Sequence, residues 1–319
     1  MTDTAVHSAL ESWSPAQLRD WNPSWRQDLA ASAAPALTLV GDASWGAAVR
    51  DAVQLPVADP LLWANRRLDL SSGHWAITGI RFRGRDIAKP FVDVIATDVT
   101  PDTAGIAELA EVLTAHREFA PLCLRVHLPG DQRSAPASDG FTAVPDLLVV
   151  AAPVARVAAG AASTGVDVEL VRAEPAGAAV RVADAYDGLR RSEPDLDQWA
   201  TAADQDSLAD ADEEGLLFDV VIAGRTAGVV AAARDDVDGF TGFTVEEIVL
   251  DAEHRGHGYG PLVLRQLARA LPAGPSDVLR GHIHPGNTRS LRNALASGRE
   301  VVSSLVWVTP TGYPGMPTI

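Results

Sequence analysis

The stretch Val245–Leu271, VEEIVLDAEHRGHGYGPLVLRQLARAL, constrains this chain more than any other. An apolar, strand-like run ends in a loop with three glycines in five residues, Gly256, Gly258 and Gly260. A leucine-rich helical pattern follows at once. The first amides of a helix have no intrahelical acceptor, and the helix dipole favours negative charge beside them. Glycines let the backbone approach such a charge closely. Pro261 falls at the first helical position, where a missing amide hydrogen costs nothing. The junction therefore reads as an anion site in an α/β fold.

Phosphate-binding templates can be told apart here by single residues. A P-loop needs Lys-Ser/Thr after its last glycine, and Gly260 is followed by Pro261-Leu262. A dinucleotide fingerprint needs a third glycine where Pro261 stands. It also needs an acidic residue ending the next strand, and Asp277 precedes that strand. The pattern R-x-x-G-x-G/A fits, as Arg255, Gly258 and Gly260, with Gly256 as a further match. With its flanks, VEEIVLDAEHRGHGYG before and HIHPGNTRSLRNALASG after, this loop resembles the GNAT superfamily of acyl-CoA N-acyltransferases. The motif match covers roughly residues 216–310, and Asn287, Ser290 and Gly298 stand at the family's spacing.

The resemblance implies a fold and a chemistry. The fold class is α/β (α+β): two GNAT-like domains, each a mixed, mostly antiparallel twisted sheet flanked by helices. Acetyl-CoA is the implied cosubstrate. Its pantetheine arm enters between two splayed strands and bonds the backbone of Ile248, Val249 and Leu250. The amides of Arg255, Gly256, His257, Gly258, Tyr259 and Gly260 cradle the pyrophosphate, and Asn287 and Ser290 complete the cofactor set. An amine substrate attacks the thioester directly, so no enzyme nucleophile is required.

An ammonium must lose its proton before it attacks. Glu246 and Glu247 are the candidate bases, with Glu246 at the family's catalytic position. Strand alternation allows only one of them to face the cleft. His284 is a third candidate; with His282 it shares one face of the next strand, without a third residue to complete a metal site. The family's general-acid tyrosine, seven residues after Asn287, is replaced by Ala294, and Arg299 follows Gly298 where an aromatic is usual. Tyr259, Tyr313 or Ser290 is left to substitute, or the thiolate leaves unassisted. The missing tyrosine also motivates a second reading, an acyl-CoA-binding sensor or partner module with little turnover.

Outside the motif, periodicity divides the chain into a helical arm (1–35), a first domain (36–157) and a second domain (158–319), with a small-residue linker at 155–165. Both halves share a pattern of strand, helices, hairpin, helix, strand, strand, without residue identity. In the first half the equivalent of the glycine loop, TDVTPDTAGIAEL, lacks R-x-x-G-x-G, so that half reads as a degenerate copy. A strand is expected at 36–40, a helix at 42–53 capped by Asp42, and an amphipathic helix at 100–119. Within the acidic segment 190–215, Asp195, Asp197 and Trp199 are expected to hold a cationic acceptor. The resemblance implies a small-molecule amine as acceptor, and a net charge of −16 is expected to repel nucleic acid and anionic membranes. No apolar run reaches the roughly 20 residues of a membrane span. The lone Cys123 and the lack of a signal-like start point to a cytoplasmic protein, monomer or homodimer.

Overall fold

The computed structural model describes residues 3–133, 138–160 and 165–317. The arm, apart from Met1 and Thr2 outside the described residues, is three helices: α1 (Asp3–Trp13), α2 (Ala16–Trp21) and α3 (Trp25–Thr38). The strand expected at 36–40 does not form. The alanine-rich run continues α3 to Thr38, and Val40 makes only an isolated parallel bridge to Asn65. α4 (Ala43–Val53) starts as expected, with the Asp42 carboxylate accepting from the amides of Ser44 and Trp45. α5 (Pro60–Trp63) leads into β1 (Arg66–Asp69), β2 (Trp75–Phe82) and β3 (Pro90–Thr97).

The single helix expected at 100–119 is broken into α6 (Thr103–Glu108) and α7 (Val112–Ala115), joined and followed by 3-10 turns. The tighter turns bring Ile106, Leu109, Val112 and Leu113 all into the core. β4 (Leu124–Pro129), β5 (Phe141–Pro153) and α8 (Val154–Ala158) follow. The expected linker is thus helical at its start, with Val154 and Val157 buried; its residues 161–164 lie outside the described residues. Then come β6 (Val168–Arg172), α9 (Pro175–Ser192), α10 (Gln205–Glu213), β7 (Leu217–Ile222), β8 (Arg225–Arg234) and β9 (Gly242–Leu250). The chain closes with α11 (Gly260–Ala270), β10 (Val278–Ile283), α12 (Thr288–Ala296) and β11 (Glu300–Pro310).

Among the described residues the strands form one mixed, mostly antiparallel sheet of eleven, in the order β1-β2-β3-β4-β11-β5-β10-β9-β8-β7-β6. This order reads as two similar halves that have exchanged a strand. β5 follows β4 in sequence but pairs with β10, whereas β11 follows α12 but pairs with β4. β5 and β11 then pair with each other, antiparallel, from Phe141–Pro310 to Ala151–Glu300. Leu148–Ala152 are buried throughout, as befits a strand covered on both faces at the centre of a sheet.

Helices cover both faces. One face carries the arm, through Leu18, Trp25 and Leu29 on Val149, Ala151 and Val278, and also α9 and α10, on Leu217, Val229, Ala231 and Val249. The opposite face carries α6 and α7 over β4, α11 over β8 and β10, and α12 on Leu148, Val150 and Ile283. No helix among the described residues is long and apolar enough to cross a membrane.

The exchange predicts how fragments behave. A polypeptide of residues 1–157 lacks β11 and exposes the inner edges of β4 and β5. Expressed alone it should aggregate or remain unfolded, and co-expression with 158–319 should restore a soluble complex in size-exclusion chromatography.

Candidate active site

Two parallel strands part company beneath the glycine loop. β9 pairs with β10 only over Gly242–Thr244 and Val278–Arg280. Beyond that point β9 keeps β8 as its partner and β10 keeps β5, so a wedge opens between Val245–Leu250 and Gly281–Ile283. Gly242 sets the vertex. Its φ is +138°, and a Cβ there would come within 2.3 Å of the Val278 carbonyl oxygen. The buried Arg280 braces the vertex, donating to Thr244 Oγ1 (3.1 Å) and contacting the Asp235 carboxylate.

A β-bulge at Glu246 overturns the expected alternation. Ala231 lies opposite Glu247 and Ala232 opposite Val245, so Glu246 is the extra residue. Val245 and Ile248 pack into the α11-side core, while Glu247 and Val249 face α9 and α10. The extra residue brings Glu246 to that same side, near Arg280 and Asp235. Both carboxylates therefore share one face. Glu247 is buried, and its oxygens accept from the amides of Ala203 (3.0 Å) and Ile248 (2.9 Å). Burial pushes its carboxyl up to about 7 against the pull of these two donors. Glu246 keeps its side chain open to solvent, and desolvation followed by the Asp235 charge raises its pKa.

Downstream of β9, five consecutive amides, Gly256 to Gly260, have no protein acceptor among the described residues. Gly256 (φ +80°) and Gly258 (φ +76°) hold left-handed conformations with open space where a Cβ would stand. Tyr259, at the N-cap of α11, supplies no side-chain cap, whereas α4, α5, α6, α9, α10 and α12 are each capped by a carboxylate or amide side chain. Under the loop the Asn293 carboxamide presses on Gly260, where a Cβ would sit 2.5 Å from Oδ1, and that oxygen is buried without a partner.

The other expected site residues take varied places. The Arg255 side chain turns inward, donating Nε to the Leu250 carbonyl (2.6 Å) and a terminal nitrogen to Ala185 (3.1 Å). It anchors the loop to β9 and α9, and its own amide reaches the Ala252 carbonyl. The His257 ring stacks on Tyr259 at 5.7 Å. Asn287 Oδ1 caps α12 by accepting from the Ser290 amide (3.1 Å). His284 Nδ1 accepts from the Gly286 amide (3.0 Å), which leaves the ring proton on Nε2; burial lowers its pKa. His282 instead enters a cavity under the arm, so the two histidines do not meet. Among the described residues no group of three or more His, Cys, Asp or Glu gathers to hold a metal ion.

Asp197 pairs with Arg190 (3.0 Å), and Asp195 accepts from Gln198 (3.0 Å). Trp199 does approach the site, packing toward Gly286 and His284. Ala294 is fully buried on the sheet-facing side of α12, and Tyr313 packs with the first-half core, away from the wedge. Residues that pattern reading missed include Asn293, Tyr186 beside Glu247, and the Glu193–Arg289 ion pair linking the end of α9 to the start of α12. Asn293 and Arg289 lie within the HIHPGNTRSLRNALASG stretch but at positions its spacing does not mark, and Tyr186 and Glu193 are brought in by packing.

The first half repeats the wedge with different chemistry. β3 and β4 pair, also parallel, only at Val92–Leu124 and Asp93–Arg125. β3 bulges at Ile95, so Ile95 and Ala96 stand where β9 has Glu246 and Glu247. The following helix, α6, has its N-terminus filled by the Asp102 carboxylate, which accepts from Gly105 (2.9 Å). An anion is excluded there by a like charge.

No family model and no curated protein matches the sequence. Solved structures do. A GNAT-family acetyltransferase from Colwellia psychrerythraea is 12% identical, with a TM-score of 0.46, over 75% of this chain and 81% of that one. A tandem GNAT protein from the clavulanic acid biosynthesis pathway is 17% identical, with a TM-score of 0.40, over 76% and 81% of the two chains. An aminoglycoside acetyltransferase in complex with coenzyme A and kanamycin is 18% identical, with a TM-score of 0.31, over 46% of this chain and 95% of that one.

The raised pKa of Glu247 makes a stability prediction. A carboxyl at about 7 in the folded state and 4.5 ordinarily binds its proton more tightly when folded. Its stabilising contribution is complete below about pH 4.5 and is lost as pH rises through about 7. Denaturant midpoints between these limits should fall more steeply for the wild type than for Glu247→Gln. The solved structures similar to this chain include GNAT-family acetyltransferases and a tandem GNAT protein.

Proposed function

We propose that the chain is a GNAT-type, acetyl-CoA-dependent N-acetyltransferase acting on a primary amine of a small molecule, with its carboxy-terminal half doing the chemistry. One observation carries this reading: a row of five unsatisfied amides at an uncapped helix N-terminus, in line with a wedge between two parallel strands. The row suits a pyrophosphate. The unpaired edge of β9 suits a pantetheine arm lying alongside as an extra strand.

Glu246, open to solvent at the bulge, takes the proton from the incoming ammonium directly or through water. Glu247 has the more perturbed carboxyl, but its two oxygens hold the 199–204 loop and the Ile248 amide. It positions the acceptor side of the site and keeps Ile248 in place. Backbone amides at the wedge meet the oxyanion that develops on the thioester carbonyl. With Ala294 in the core, the leaving thiolate, of pKa about 8–9, takes its proton from water or from Tyr259.

Two variants test the assignment. Gly258→Val places a side chain at φ +76°, in the open space above the amides. The apparent KM for acetyl-CoA should rise about tenfold, equivalent to about 1.4 kcal/mol of lost binding. Glu246→Gln should lower kcat by about 10²-fold or more and remove the acidic limb of its pH profile. An unchanged profile excludes Glu246 as the base. The buried Ala294 favours one second reading, a sensor that binds acyl-CoA with little turnover. Calorimetric binding of acetyl-CoA without thiol release from any amine in a panel would select it, and no binding at all would exclude both.

A further inference from the structure

We propose that the first half carries a second binding site, for a small zwitterion of the amino-acid type, in the cavity between the β3–β4 wedge and the helical arm. The proposal is independent of the acyl-transfer reading, because nothing in it requires coenzyme A.

The cavity has a volume of about 350 Å³. That is room for about a dozen waters, within the range of small-ligand pockets. Its floor is the splayed part of the sheet, and Leu10, Trp13, Leu29 and Ala33 of the arm form its roof. A wedge that had only lost its original ligand would be expected to fill with apolar side chains. Among its apolar lining this one also presents Arg81, Asp93, Arg125, His127, Asp238 and His282.

The charges are segregated. On one side are two guanidiniums and a single carboxylate. Arg125 donates Nε to Asp93 Oδ1 (2.9 Å), and its guanidinium lies over the Phe91 and Trp307 rings (4.9 and 5.9 Å) at the edge of the cavity. Arg81 is largely desolvated and donates to the neutral oxygens of Ile80 and Asn65 (both 2.9 Å). This side has an excess positive charge and favours a carboxylate. The other side has the Asp238 carboxylate, 3.8 Å from His127 Nδ1, and His282, whose pKa burial lowers. His127 is held by Ser303 Oγ at 2.7 Å. This side offers one carboxylate and hydrogen-bonding imidazoles, a setting for an ammonium. Arg125 and His127 are two residues apart on β4 and lie on one face, with backbones about 7 Å apart, so the two sides of the cavity are neighbours along one strand. Leu10, Val149 and Leu305 along the same cavity suit an apolar side chain.

The test is calorimetric titration of the full chain with each of the twenty amino acids. The tightest binder is then compared with its N-acetyl derivative, which lacks the ammonium, and its carboxamide, which lacks the carboxylate. At least one apolar amino acid should bind saturably, with both derivatives weaker by about tenfold or more. Asp238→Asn should weaken the amino acid tenfold while leaving the N-acetyl derivative unchanged. Asparagine tolerates the φ of +55° at this position, so the variant is expected to fold. Arg125→Gln should weaken the N-acetyl derivative as well, with a thermal melt to confirm folding. Failure of every amino acid to bind would overturn the proposal. So would binding that neither variant alters, or equal affinity for the N-acetyl derivative.

Discussion

Everything in this fold rests on the antiparallel pairing of β5 with β11. Each strand belongs by sequence to one half and by its outer hydrogen bonds to the other. Both are buried on both faces over Leu148–Ala152 and Val302–Ser304, where helices cover the two sides of the sheet centre. Both wedges open at the outer borders of this four-strand centre, β4-β11-β5-β10. β4 and β10 are therefore held rigidly on one side only. Their other edges are free to diverge from β3 and β9 after two or three residues of pairing.

The bulges turn this shared geometry into different sites. An extra residue in β9 puts Glu246 and Glu247 on one face, where alternation would have separated them. Burial then divides their roles. The desolvated Glu247 is held by two amides, and Glu246 remains in contact with solvent. The equivalent bulge in β3 presents Ile95 and Ala96, and its helix N-terminus is capped by Asp102. The same backbone thus bears an anion cradle in one half. In the other it bears a cavity lined by charges of both signs, closed by an arm that the second half does not possess.

Motif-bearing residues were the legible part of the site. The strand, glycine loop and helix from Gly242 to Ala270 and the Asp42 cap follow from local rules, and they stand where those rules put them. Residues that act across sequence distance were not legible. Arg255 has the right place in the motif, yet its guanidinium turns away from the loop, because the carbonyls of Leu250 and Ala185 lie within reach. Asp197 pairs with Arg190 at the end of α9, a contact its charge alone does not specify. The strand expected at 36–40 yielded to the helix before it, since β character in five residues does not outweigh an alanine-rich run already propagating.

By itself the sequence determined the alternation of strands and helices, the duplicated order of elements, and the glycine loop at an uncapped helix. These depend on periods of two and 3.6 residues and on which side chains tolerate a positive φ, all local properties. Only the tertiary structure decided that the halves exchange strands, that Glu246 and Glu247 face the same way, and that the first half encloses a charged cavity. Strand register, bulge position and the path of the arm are set by contacts between residues far apart in the chain, and local patterns do not encode those contacts.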